Sequence, residues 1–297
     1  PARAYFSCDA SDTGKNAEDR EMKKMTVAAM IVLAAGAARA QEFQGEVALS
    51  FGKAPFLSTD DDDERLSEPG YQLSGWAGAS FGDWKVFGDV NVFKRDIGDN
   101  DFDSYGPEGA RSIGLHFGKS FGTAYVGAFI DRNEFQNDDT PTGNDYVSGK
   151  LYGIEGQYEM GGATLFAQLG RADMVGEEGD VAFIGGFQRI GISTTIDQLT
   201  LTADVEQGKS SNIFEDDGDY GDYRALGLAV DYQFSPRVIG TVSYRKMDVV
   251  ANTEDSAIDD FYGIGIRIPL GATAGKRNNL TTSYYPGLAA AWAANLD

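Results

Sequence analysis

Residues 262–270, YGIGIRIPL, alternate between two kinds of side chain. A tyrosine, three isoleucines and a leucine take the even-numbered positions, while Gly263, Gly265 and Arg267 lie between them. A period of two places successive side chains on opposite faces of an extended chain. The stretch therefore predicts a β-strand with one apolar face and one small or polar face.

The same alternation recurs along most of the chain. Residues 199–205, for example, set leucine, alanine and valine against Thr200, Thr202 and Asp204. Runs of this kind separated by turn residues are typical of antiparallel sheets. They predict twelve strands, at 42–52, 70–82, 84–95, 110–120, 123–134, 147–160, 163–173, 181–196, 199–209, 223–234, 237–249 and 260–270.

The connections between these strands alternate in length. Five are short and contain turn-forming residues, at Gly82-Asp83, Phe121-Gly122, Gly161-Gly162, Asp197-Gln198 and Ser235-Pro236. The six longer segments are 53–69, 96–109, 135–146, 174–180, 210–222 and 250–259. Because the start of the first strand and the end of the last strand both lie on the short-turn side, this order predicts an up-and-down meander with an even number of strands.

Aromatic residues crowd both ends of the predicted strands. Near the short turns they are Phe81, Trp84, Phe121, Tyr125, Tyr158 and Phe234. Near the long segments they are Tyr71, Phe135, Tyr146, Tyr223 and Phe261. Two aromatic girdles are typical of membrane barrels, whereas the connections of a soluble sandwich do not sort into one tight and one long end. We therefore predict an all-β, transmembrane, antiparallel up-and-down β-barrel of about 12 strands over residues 41–271, with short periplasmic turns and long acidic extracellular loops.

The N-terminal region has the pattern of an export signal. Residues 22–40, MKKMTVAAMIVLAAGAARA, combine two lysines, a short apolar run and an Ala-Arg-Ala cleavage site. The apolar run is too short to span a bilayer as a helix, so we expect a signal peptide rather than an anchor. Residues 1–21 precede its methionine, and we expect them to be an upstream over-extension. Cys8 lies among them, so the exported chain is expected to contain no cysteine.

The composition argues against several classes of function. The 297 residues include 46 acidic and 25 basic side chains, a formal charge of −21, and this leaves no basic surface for a nucleic acid. One cysteine and one histidine cannot form an internal disulfide, a four-cysteine zinc site or a histidine-rich metal centre. We expect no nucleic-acid partner and no resident cofactor.

Most of the acidity falls in the long segments. When the third segment is extended to residue 147 and the sixth to residue 260, the six segments contain 26 acidic and two basic residues. Two interpretations remain open: solvated loops, or an electrostatic funnel that enriches cations at the mouth. The candidate acidic mouth comprises Asp60, Asp61, Asp62, Asp63, Asp99, Asp101, Asp103, Asp216, Asp217 and Asp219.

The acidic segments also suit weak binding of Ca²⁺ or Mg²⁺, because these ions prefer oxygen ligands. The residues from Asp99 onward begin like a calcium-binding EF-hand loop. Ser104 and Ala110 stand where that loop requires glycine and glutamate, so the motif fails.

The polar positions that alternate with apolar ones along each strand are predicted to line the lumen. Both signs of charge occur there, which suits a water-filled pore crossed by a transverse field; alternatively, the charges pair into a plug that conducts little. The candidate pore-lining residues are Glu46, Lys85, Asp89, Arg95, His116, Asp131, Glu155, Glu159, Arg189, Asp204, Glu206, Asp231, Arg245 and Arg267.

An enzymatic role is not expected. A hydrolase of the barrel type needs an activated nucleophile, usually with histidine as the base, and His116 is the one histidine. The two Gly-x-Ser-x-Gly stretches, at 78–82 and 118–122, run into predicted hairpin turns rather than into a helix, so neither forms a nucleophile elbow. The parity of His116 points to the lumen.

The chain resembles Gram-negative outer-membrane porins, in particular the porin-like barrels of alphaproteobacteria. The resemblance rests on the export signal at 22–40, the opening strand GEVALSFG at 45–52 and the hairpin GLHFGKSFGTAYVG at 114–127. It implies passive diffusion of small hydrophilic solutes and assembly as a homotrimer. The chain departs from the sixteen-strand general porins in its strand count. It also departs from them in residues 272–297, an irregular C-terminal tail that is either periplasmic or an artefact of the reading frame.

These observations predict a porin-like channel for passive diffusion of ions and small hydrophilic solutes that favours cations. The alternative is a closed structural or adhesive barrel whose acidic loops bind divalent cations or a partner. We expect it in the outer membrane of a Gram-negative bacterium, in contact with lipid and lipopolysaccharide.

Overall fold

The computed structural model describes residues 42–58, 65–95, 109–137, 145–176, 182–210, 221–251, 255–271, 277–281 and 285–286. Almost all of them form twelve strands. The strands are β1 (Glu42–Ser58), β2 (Arg65–Phe81), β3 (Trp84–Arg95), β4 (Gly109–Phe121), β5 (Ala124–Asn137), β6 (Asp145–Met160), β7 (Ala163–Gly176), β8 (Ala182–Ile196), β9 (Leu199–Ser210), β10 (Gly221–Ser235), β11 (Val238–Ala251) and β12 (Asp255–Gly271).

Every strand pairs antiparallel with its neighbours in the chain, and the sheet closes on itself. The closing pair joins β1 to β12, with Val47 opposite Ile268 and Leu49 opposite Ile266. Closure satisfies the edges that an open sheet would leave unpaired. The predicted twelve-strand up-and-down barrel is confirmed.

Several strands run further toward the long connections than the sequence predicted. β1 continues to Ser58 instead of residue 52, and β12 begins at Asp255 instead of residue 260. The alternation in the sequence fades there, but backbone pairing does not require an apolar face. Sequence periodicity therefore marks the apolar band of the wall rather than the full length of the strands.

The tight turns lie where the sequence placed them or one residue beyond. Gly161 and Gly162 both adopt positive φ, as a type I′ hairpin turn requires, and Gly82 and Asp197 adopt it at the first position of their turns. The turn between β4 and β5 is at residues 122–123, and that between β10 and β11 is at residues 236–237. Both predictions had been one residue early.

The wall has its apolar side chains on the outside. Ile264 and Ile266 of β12 are 67% and 54% exposed, whereas Arg267 beside them is 2% exposed. The same alternation of exposed aliphatic and buried polar residues holds along the other strands. A soluble protein would not expose so much contiguous apolar surface, whereas a lipid-facing barrel requires it.

The structure corrects part of the predicted aromatic girdles. Near the tight turns Phe81, Trp84, Phe121, Tyr158 and Phe234 do face outward. Tyr125, Phe135, Tyr223 and Phe261 instead point inward and are at most 6% exposed. The prediction placed them by their distance from the strand end, but parity decides which face a side chain occupies.

No helix within the described residues is long and apolar enough to cross a membrane.

Candidate functional site: the lumen of the barrel

The residues predicted to line the pore lie on the inward parity of their strands. Most are buried within the barrel, while Lys85 and Glu159 are exposed close to the tight turns. Arg189, Asp204 and Arg245 are half-buried at their positions on β8, β9 and β11. The acidic-mouth residues Asp60, Asp61, Asp62, Asp63, Asp99, Asp101, Asp103, Asp216, Asp217 and Asp219 lie outside the described residues.

His116 is held between two aromatic rings because of the strand register. Phe87 of β3 and Phe129 of β5 lie directly opposite it on either side. The imidazole stacks on Phe87 with ring centroids 4.2 Å apart and planes 8° apart, and its centroid is 5.9 Å from that of Phe129. The two rings fix the plane of the imidazole, which is fully buried.

Both nitrogens of His116 face carboxylates. Nε2 is 2.7 Å from Oδ2 of Asp89, and Nδ1 is 2.9 Å from Oε2 of Glu155. An ionised carboxylate only accepts hydrogen bonds, so the three groups must hold two protons in these two bonds. One arrangement is an imidazolium between two carboxylates, and the other is a neutral ring with one protonated carboxyl. The net charge of this cluster is −1 in either case.

Glu155 extends the cluster to two further strands. The hydroxyl of Tyr125 donates to Oε1 of Glu155 over 3.1 Å, and Nε2 of Gln168 donates to Oε2 over 3.2 Å. Gln168 lies opposite Arg189 in the pairing of β7 with β8, and Arg189 donates to its Oε1 over 3.3 Å. Arg189 also pairs with Asp204 over 3.1 Å. The polar contacts therefore run continuously from β3 to β9.

A second cluster lies at the closing seam. Arg267 donates from Nε to Oε1 of Glu46 over 2.9 Å and from Nη1 to Oδ2 of Asp231 over 2.6 Å. All three side chains are at least 90% buried. Arg95 of β3 pairs with Asp259 of β12, on the other side of β1 and β2. Of the two predicted arrangements for the lumen charges, the structure shows the paired one at these residues.

Part of the C-terminal tail lies inside the barrel. Arg277 donates to Oδ2 of Asp231 over 3.2 Å. Leu280 is 2% exposed and packs with Phe87, Tyr125 and Phe166, and Tyr285 is 5% exposed. A periplasmic position, one of the two alternatives for this tail, is therefore wrong for these residues. Sequence reasoning could not place them, because a segment without alternation contains no information about what it packs against.

The part of the lumen near the long connections contains a large apolar cluster, which the sequence did not predict. Buried apolar side chains from β4 to β11 form one cluster there, and Tyr285 joins it. Phe135, Leu151, Met174 and Met247 are at most 1% exposed. Their inward parity was the available signal, since bulky apolar residues on the polar face of a strand indicate a filled lumen rather than a wide pore.

The open space of the lumen lies at the tight-turn end. A cavity of about 540 Å³ reaches the turn residues Gly162 and Asp197 and is lined by Trp76, Lys85 and Glu159 among others. Residues 277–280 border it from within. The spaces between the tail and the wall further up are much smaller, about 60 and 10 Å³. We call the space of about 540 Å³ at the tight-turn end the vestibule.

Another cavity, of about 920 Å³, lies outside the lumen. Its lining includes the outward-facing Ile154, Leu169 and Ile190, so it is a groove along the lipid-facing side of β6–β11. No group of three or more histidine, cysteine, aspartate or glutamate residues that could hold a metal ion occurs within the described residues.

Comparisons with known proteins agree with this architecture. The model of the Gram-negative porin family matches residues 93–252. No curated protein matches the sequence.

Solved structures that match are outer-membrane proteins at low identity. A loop-deletion mutant of the Vibrio cholerae outer-membrane protein OmpT is 14% identical, covers 77% of this chain and 100% of its own, and gives a TM-score of 0.41. The translocator domain of the Neisseria meningitidis autotransporter NalP is 11% identical, with coverages of 84% and 97% and a TM-score of 0.43. The Pseudomonas putida toluene transporter TodX is 10% identical, with coverages of 77% and 89% and a TM-score of 0.37.

Proposed function

The chain belongs to the Gram-negative porin family, and on that premise we propose that it is a narrow outer-membrane channel through which ions and small hydrophilic solutes diffuse passively, with a preference for cations. The observation that carries the proposal is the polar vestibule, which opens at the tight-turn end and leads to the charged residues of the lumen. A lumen lined by side chains of both signs, with water access from one end, suits conduction of hydrated ions.

The cation preference is argued from the balance of charge. Of the fourteen candidate pore-lining residues, eight are acidic, five are basic and one is His116. Their sum is negative, and the long segments add 26 acidic residues against two basic ones. Fixed negative charge along a path and at its mouth raises the local concentration of cations and lowers that of anions.

His116 has a structural role in this proposal rather than a catalytic one. A general base needs a free nitrogen that can take a proton from a nucleophile or from water. Both nitrogens of His116 already face carboxylates, and two aromatic rings cover its faces. We propose that the protein is not an enzyme.

A second candidate is the closed barrel, with a structural or adhesive role. The observation that favours it is the packed upper lumen, where buried apolar side chains and Tyr285 occupy the interior. In this alternative the acidic segments bind divalent cations, or lipopolysaccharide through such cations, and the lumen charges serve only the stability of the wall.

Single-channel recording under a salt gradient separates the two candidates. The refolded chain from residue 41 onward is placed in a planar bilayer, and folding is checked by its altered mobility on heating. Conductance steps whose reversal potential has the sign expected for a cation-selective channel support the proposal. Steps that reverse on the anion side contradict the cation preference but keep the channel. A barrel that folds and never conducts, with or without its tail, supports the closed alternative.

The contribution of the acidic segments is measured separately. Replacing Asp60–Asp63 by asparagine should shift the reversal potential toward zero, and more so at low salt, because salt screens charges that lie away from the path. A shift that does not depend on salt contradicts a funnel made by these residues.

A further inference from the structure

Three consecutive carbonyls of the tail accept hydrogen bonds from one pair of side chains in the wall. Gln168 donates from Nε2 to the carbonyl of Leu280 over 3.3 Å. Arg189 donates from Nη1 to the carbonyls of Asn279 and Thr281 over 3.4 and 3.3 Å. Because Gln168 and Arg189 lie opposite each other on β7 and β8, their donors are adjacent in space. They form a clamp that recognises main chain, as a peptide-binding site does.

Side chains on either side of the clamp also hold the segment. The guanidinium of Arg277 contacts both carboxylate oxygens of Asp231, at 3.2 and 3.4 Å. Leu280 fills a pocket of Phe87, Tyr125 and Phe166. These contacts add charge and shape to a clamp that by itself recognises only main-chain carbonyls in a turn.

The segment crosses the lumen from one end toward the other. Arg277 borders the vestibule, while Tyr285 lies beside Met247 in the cluster toward the long connections. Two gaps between the described tail residues and the wall measure about 60 and 10 Å³, so these residues narrow the lumen between the vestibule and the apolar cluster.

We propose that the lumen contains a peptide-binding site, formed by Gln168, Arg189 and Asp231, which holds the chain's own C-terminal segment as a plug that narrows the channel. The inference rests on the proposed channel function. The ligand is a peptide that turns at residues 279–280, with an arginine two residues before the turn and a leucine within it. Release of this segment widens the path, and rebinding narrows it.

The position of the tail is tested first, in a way that does not depend on conduction. The chain from residue 41 contains no cysteine, so a single Asn279→Cys variant can be probed with a membrane-impermeant thiol reagent. Asn279 is 5% exposed, and we expect its cysteine to react far more slowly in the folded barrel than in urea. The matched control is Arg237→Cys at an exposed turn, which should react fast in both states. Equal rates at both positions in the folded barrel overturn the proposal.

The effect on conduction is tested with Arg277→Gln and with a chain that ends at Gly271. The barrel closes through β1 and β12 within residues 42–271, so the shortened chain retains every strand contact. We expect both variants to conduct more than the intact chain and Arg237→Gln, an exposed charge control, to conduct like it. Equal conductance in the intact and shortened chains overturns the plug while leaving the channel standing.

A synthetic peptide of residues 272–286 provides the test in trans. Added on the tight-turn side, it should block the shortened barrel, and the peptide with Arg277→Gln should block about tenfold more weakly, since it lacks a charged hydrogen bond to Asp231. A peptide that does not block contradicts the binding site. A folded, shortened barrel that never conducts overturns the channel itself, and the gating role of the plug with it.

Discussion

The lumen contains two clusters of the same form, each with a nitrogen-bearing side chain between two carboxyl groups. In one cluster His116 lies between Asp89 and Glu155, and in the other Arg267 lies between Glu46 and Asp231. The first is enclosed by aromatic rings and hydrogen-bonded to Tyr125, through Glu155. The second lies at the closing seam and shares Asp231 with Arg277 of the tail. We call them the histidine cluster and the arginine cluster.

The difference shows how a buried carboxylate can be satisfied in two ways. In the histidine cluster the ring has at most two donors, and Glu155 also accepts hydrogen bonds from Tyr125 and Gln168. In the arginine cluster one guanidinium, which has five N–H donors, binds carboxylates on β1 and β10. Stability is therefore spread over several residues in the first cluster and concentrated in one residue in the second.

Removing Arg267 should have the largest effect. Arg267→Met leaves Glu46 buried without the guanidinium and leaves Asp231 with Arg277 alone. Breaking a buried ion pair costs about 3–5 kcal/mol of unfolding free energy. Urea unfolding of the refolded barrel in vesicles measures this loss. Arg237→Gln, at an exposed turn, is the control and should change the value by less than about 0.5 kcal/mol. An unchanged midpoint for Arg267→Met would show that the arginine cluster contributes nothing.

Removing His116 should cost less. In His116→Leu the carboxylate of Glu155 keeps its bonds from Tyr125 and Gln168, so we expect a loss of about 2–3 kcal/mol in the same experiment. Leucine also keeps part of the contact with Phe87 and Phe129. A loss greater than that of Arg267→Met reverses the comparison between the clusters.

A single donor of the histidine cluster should matter less again. Tyr125→Phe deletes the 3.1 Å hydrogen bond to Glu155 and nothing else, which should cost about 1.5 kcal/mol. The matched control is Tyr232→Phe, whose hydroxyl donates to Gln198 at an exposed turn over 2.7 Å. The control should lose less than about 0.5 kcal/mol, because water replaces the lost partner there. Equal losses would mean that burial in the lumen does not strengthen this bond.

The smallest effects are expected in the vestibule, where the charged side chains are exposed to water rather than buried. Glu159→Gln should lower the preference for cations and Lys85→Gln should raise it, each changing the permeability ratio by less than about twofold, because water and salt screen them. Reversal potentials of the two variants form a matched pair. Shifts of the same sign would contradict a path through the vestibule.

The sequence predicted the wall well because a membrane barrel repeats one simple rule. Alternation at residues such as Ile264 and Arg267 fixes which face each side chain occupies, and the turn residues fix the number of strands. The inward position of His116 followed from the same rule. Where the rule was replaced by distance from a strand end, as for Tyr125 and Phe261, the prediction was wrong.

The contacts inside the lumen could not be predicted in this way. That His116 lies between Asp89 and Glu155 depends on the register of three hairpins and on side chains that are far apart in the chain. The position of Leu280 depends on Gln168 and Phe166, more than a hundred residues earlier. Periodicity describes each strand alone, so it contains no information on either point.

The seam between β1 and β12 also determines when the protein can become stable. The bonds between Glu46 and Arg267 join residues 221 positions apart, so the loop that they close contains almost the whole wall. Contacts of such high sequence separation form late and slowly in folding. The barrel therefore cannot close until β12 is available, and until then one edge of β1 has no pairing partner. Assembly of this barrel consequently depends on protection of its first strand for the whole time that the chain is being made and delivered.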